Sequence, residues 1–90
     1  MDIGANIIVE GLVQGVGFRY FVYNRAVKLN LRGYVKNLLN GNVEIDVEGE
    51  RSAIETLIAE VKVGPRFAMV KNVIVKWKNV EQFYKGFQIL

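Results

Sequence analysis

The chain has 90 residues, 51% of them hydrophobic, and a formal net charge of +3. That length suits one domain with one core, and no apolar run approaches the roughly 20 residues that span a bilayer. It has no cysteine, which excludes disulfides, thiolate nucleophiles and zinc–thiolate sites, and no histidine, which removes the commonest general base and metal ligand.

Met1-Asp2-Ile3-Gly4 lacks the charged start and apolar core of a signal peptide. The expectation is a cytoplasmic protein without a membrane partner. The mild positive charge fits small anions at least as well as nucleic acid, because no dense Lys/Arg cluster occurs.

In chain order, Asn6 to Val13 is rich in β-branched residues and reads as a central strand. It runs into Gln14-Gly15-Val16-Gly17-Phe18-Arg19. Glycine takes positive φ readily and has no Cβ, so Gly15 and Gly17 let successive backbone N–H groups turn toward one point. A helix starting at Phe18 adds unpaired first-turn amides and the positive end of its dipole, and Arg19 adds a planar cationic fork. These features together describe a seat for a phosphoryl group. A Gly-x-Gly turn between a strand and a helix also occurs as a plain tight connection.

Phe18, Val22, Ala26 and Leu29 recur at spacings of four, four and three, which puts them on one helix side facing the sheet. Asn30 stops this helix, since asparagine tolerates the left-handed conformation found just past helix ends. Leu31 to Leu39 and Asn42 to Gly49 are strands joined at Asn40-Gly41, which reads as a type I′ turn with both central residues at positive φ. In the second strand Val43, Ile45 and Val47 alternate with Glu44, Asp46 and Glu48, predicting one packed face and one solvated, acidic face.

Ser52-Ala53-Ile54-Glu55 reads as a capping box that opens a second helix, made amphipathic by Ile54, Leu57, Ile58 and Val61 up to Gly64-Pro65. From Met69 to Lys78 a strand places Lys71, Val73, Val75 and Trp77 on one side and Val70, Asn72, Ile74 and Lys76 on the other. Phe87-Gln88-Ile89 adds a short last strand. This order predicts an α+β, ferredoxin-like split βαβ sandwich over residues 1–90, an antiparallel sheet with both helices on one face.

Asn37, near the end of the strand before the hairpin, is the second candidate site residue, able to reach the mouth of the loop if this strand runs beside the first. A carboxamide donates and accepts, so it can orient a water for in-line attack while Arg19 and the loop amides neutralise phosphoryl charge. Asparagine equally suits the start of a turn.

Gly11-Leu12-Val13-Gln14-Gly15-Val16-Gly17-Phe18-Arg19, then Ala26, Leu29, Leu31-Arg32-Gly33-Tyr34-Val35-Lys36-Asn37, Asn40-Gly41, Val43-Glu44-Ile45 and Gly49 resemble the acylphosphatase family over nearly the whole chain. The resemblance implies hydrolysis of acyl phosphates to a carboxylate and inorganic phosphate, without metal, cofactor or covalent phosphoenzyme. It assigns the catalytic pair to Arg19 and Asn37, with phosphate held by the loop Gln14, Gly15, Val16, Gly17, Phe18 and Arg19. The substrate's own phosphate oxygens would accept the proton. Tyr34 and Asn30 depart from the tryptophan and glycine usual in the family, and both read as structural variation.

Two other readings compete with this one. A carbamoyl-phosphate-processing domain of the kind that begins hydrogenase-maturation proteins fits the same fold, but the chain has no zinc-finger cysteines, and a free-standing monomeric hydrolase is simpler. An RNA-binding module would need basic and aromatic residues on the third strand, where Glu44, Asp46 and Glu48 stand instead.

Overall fold

The computed structural model describes all of residues 1–90. Its elements are β1 (Asp2–Leu12), α1 (Phe18–Lys28), β2 (Arg32–Asn37), β3 (Val43–Glu50), α2 (Arg51–Val63), β4 (Met69–Lys78) and β5 (Phe87–Ile89). The strands lie in the order β4-β1-β3-β2-β5. β1 pairs antiparallel with β3 and β4, and β2 pairs antiparallel with β3. β3 therefore separates β1 from β2, and those two strands run in the same direction without touching.

The antiparallel arrangement holds for four strands, while β5 joins the edge parallel to β2 and makes the sheet mixed. Its direction follows from where β4 stops. Lys78 pairs with Gly4 near the start of β1, so the chain crosses to the far edge at the end where β2 begins and can only run beside it.

Both helices cover one face, as expected. Phe18, Val22 and Ala26 of α1 and Ile54, Leu57, Ile58 and Val61 of α2 are buried against Ala5, Ile7, Val9, Val35, Val43, Ile45 and Val47. α1 ends as the sequence implies. Asn30 has φ 57°, and the bonds Leu31 N–H to Ala26 O and Asn30 N–H to Val27 O complete a Schellman closure.

Four local expectations are corrected. The face of β3 opposite the helices is not solvated: Asp46 and Glu48 are buried. Asp46 accepts from Asn6, Lys78 and Tyr84, and Glu48 accepts from the backbone N–H groups of Glu81, Gln82 and Tyr84. The segment after β4 folds over this face, and the carboxylates tie it down. Alternation alone cannot distinguish a wet face from one covered by a distant loop.

The hairpin turn is not type I′. Gly41 N–H bonds to Leu38 O at 3.2 Å, Leu38 N–H bonds to Asn42 O at 2.8 Å, and only Gly41 takes positive φ. This is a three-residue loop, with the glycine at its left-handed third position. The Ser52 capping box is also absent. β3 passes straight into α2 with Glu50 as an extended N-cap lacking a side-chain bond, so Ser52 already lies inside the first turn. Finally, the register of β1 with β4 shifts between Glu10 and Gly11, which pair with Asn72 and Val70. Lys71 is the extra residue of this bulge, and Val70 rather than Lys71 joins Val73, Val75 and Trp77 against the core.

Candidate active site

Because β1 and β2 run the same way, their carboxyl ends emerge at one edge of the sheet. The parallel β5 delivers its end there too. Ligands of open sheets with crossover helices collect at such an edge, where loops and helix starts converge.

The loop after β1 turns through two left-handed glycines, Gly15 at φ 74° and Gly17 at φ 76°. A Cβ added to either would meet nothing within 4 Å, so it is the backbone angle that calls for glycine. Gly17 is the N-cap of α1, with no side-chain cap bond and no acidic residue in the first turn. The first helical bond is Phe21 N–H to Gly17 O at 3.0 Å. The first-turn amides therefore point outward with no carboxylate competing for them.

A cavity of about 220 Å³ opens at this point, lined by Val13, Gly15, Gly17, Phe18, Arg19, Tyr20, Asn37 and Ile89. Asn37 reaches it from the last position of β2, two residues beyond buried Val35 on the same face, and pairs in the ladder with Val43. The turn itself starts one residue later, at Leu38. The half-buried Arg19 donates from Nη1 to the backbone oxygen of Leu90 at 2.8 Å. That bond uses one of the five guanidinium N–H groups of a residue that lines the cavity, which leaves the others for a ligand.

The side chains of two residues of the predicted loop contact other parts of the fold. Val16 packs against the core. The Gln14 side chain turns to the hairpin, its Nε2 donating to Leu38 O at 2.7 Å and to Asn42 O at 2.8 Å. Two carbonyls can be satisfied only by the nitrogen end of the amide, so the orientation is fixed chemically. Leu90 and Tyr20 escaped the sequence reading: a backbone oxygen carries no residue signal, and Tyr20 lies off the buried helix stripe.

A glycine turn at a helix start, an arginine and a carboxamide line one small cavity, an arrangement suited to an anion. The comparisons then narrow the class. The acylphosphatase family model matches residues 5–89. The chain is 44% identical over 81 residues to an acylphosphatase of Caldanaerobacter subterraneus, covering 90% of both chains. It is also 44% identical to the Thermus thermophilus acylphosphatase, covering 91% of this chain and 92% of that one. The crystal structure of acylphosphatase from Bacillus subtilis superposes with a TM-score of 0.95 at 41% identity, covering 98% of each chain. A full-length HypF structure matches at 38% identity and a TM-score of 0.89, with the chain corresponding to 12% of that protein.

The chain belongs to the acylphosphatase family. It is an acylphosphatase hydrolase, and its substrates are small-molecule acyl phosphates.

Proposed function

We propose that hydrolysis proceeds by direct attack of water on a phosphoryl group held by Arg19 and the amides of the Gly15–Arg19 segment, with Asn37 positioning that water. The observation that carries this reading is the meeting of the glycine turn, Arg19 and Asn37 around one cavity. The water oxygen bonds to phosphorus as the phosphorus–oxygen bond to the acyl group breaks, and the carboxylate departs with the electron pair. The water proton passes to a non-bridging phosphate oxygen of the substrate, since the lining offers no imidazole, thiol or carboxylate to take it.

A carboxylate is a good leaving group, so orientation and charge neutralisation supply most of the required acceleration. The same lining offers no histidine, thiolate or carboxylate to anchor a metal, which favours a metal-free route. We read residues 1–90 as one domain acting as a monomer in the cytoplasm; no helix is long and apolar enough to cross a membrane.

The test is hydrolysis in ¹⁸O-labelled water of several acyl phosphates beside phosphate monoesters. The label is expected in inorganic phosphate, with little turnover of the esters. Label in the carboxylate would place attack on carbon and overturn the mechanism.

A further inference from the structure

The cavity lining includes two residues with no part in the phosphoryl reading. Tyr20 and Ile89 line the cavity beside Arg19, and Tyr20 is 64% exposed although it sits in the first turn of α1 at the catalytic edge. Its ring has an aromatic neighbour. It stacks on Tyr23 with centroids 6.3 Å apart and planes 17° apart, and Tyr23 in turn meets Phe87 of β5 at 6.3 Å. The result is a backed aromatic surface next to the phosphoryl seat.

Arg19 is the only charged residue among the eight that line the cavity, and it already serves the phosphoryl group and Leu90. An acyl group projecting from that seat therefore finds an aromatic face and an isoleucine, and no cation to receive a second carboxylate. Covering such a surface is favourable for an apolar chain and offers nothing to a charged one.

We propose that Tyr20 and Ile89 form an acyl subsite that selects neutral, apolar acyl groups over short or anionic ones. This inference rests on the phosphoryl reading of Arg19 and Asn37 given above. The experiment compares kcat/KM for acetyl, hexanoyl and succinyl phosphate, whose leaving carboxylates are similar enough that differences report on contacts. The native protein is expected to favour hexanoyl over acetyl phosphate by at least about tenfold, because seating even one of the four extra methylenes in an apolar pocket gains roughly that much.

Tyr20→Ser should bring that ratio toward one, Tyr20→Phe should keep it, and Tyr20→Lys should raise succinyl relative to hexanoyl phosphate. Ile89→Ser gives an independent reading of the same ratio if a Tyr20 variant folds poorly. Brisk turnover with a native ratio near one, or a ratio unmoved by Tyr20→Ser, overturns the subsite alone. Absence of turnover with every acyl phosphate overturns the phosphoryl reading and the subsite with it.

Discussion

Gln14 and Leu38 are joined across the cavity's edge by a 2.7 Å hydrogen bond from the Gln14 amide to the Leu38 carbonyl, and the same amide also holds Asn42. One side chain thus links the residue before the cradle to both ends of the turn that follows Asn37. Gln14→Glu keeps the shape but turns acceptors toward two carbonyls. It is expected to lower kcat about tenfold, ~1.4 kcal/mol of lost alignment, with little change in inhibition by inorganic phosphate. If Gln14 acts through Asn37, the loss shrinks in an Asn37→Ala background, and simple additivity would show that it does not.

Arg19→Ala removes the one cation of the site. Turnover should fall by at least roughly 10²-fold, and phosphate inhibition should weaken with it. The fold should persist, because the residue is only half-buried and its side chain bonds one backbone oxygen, that of exposed Leu90. Lysine at this position should rescue poorly, since a point charge cannot bond phosphate and Leu90 in one plane. Near-native turnover of Arg19→Ala would remove Arg19 from the chemistry, and near-native turnover of the lysine variant would show that charge alone suffices.

The outer face of the sheet predicts the acid response. Burial pushes the Asp46 carboxyl up, but donation from Asn6, Lys78 and Tyr84 outweighs it and holds the group below its ordinary 3.8. Glu48 is likewise raised by burial and lowered further by the N–H groups of Gln82, Glu81 and Tyr84, to below its ordinary 4.5. Folded values below unfolded ones mean that this stabilisation is present above those ordinary values and is lost as pH falls through the folded ones. Glu48→Gln should lower Tm at pH 7 and flatten its decline between pH 5 and pH 2. A decline parallel to the native protein's would show that Glu48 does not report the acid transition.

Turnover is expected to survive EDTA unchanged, because Arg19 and backbone amides supply the positive field that a divalent ion would otherwise provide. Loss in EDTA, restored by magnesium or manganese, would contradict the metal-free route.

The elements and the site's raw material were legible because each rests on local signals. The helix stripe Phe18-Val22-Ala26, the left-handed Asn30 and the Gly15/Gly17 turn depend on neighbours a few residues apart. Long-range facts were not legible. The burial of Asp46 and Glu48 depends on a segment more than thirty residues later, and the seating of Arg19 on Leu90 spans 71 positions. The meeting of Asn37 with the cradle came from topology: β3 sits between β1 and β2, so both strand ends face one edge. The Ser52 box failed because the ladder to β1 carries β3 through Glu50, which brings the helix start forward.

The central claim is that a phosphoryl group sits on the Gly15–Arg19 amides opposite Asn37. Titration of ¹⁵N-labelled protein with inorganic phosphate tests it most directly. Saturable shifts are expected at the backbone amides of Gly15 to Arg19, the Arg19 guanidinium and the Asn37 carboxamide. Saturable shifts confined to residues away from this edge, with those groups unmoved, would contradict it.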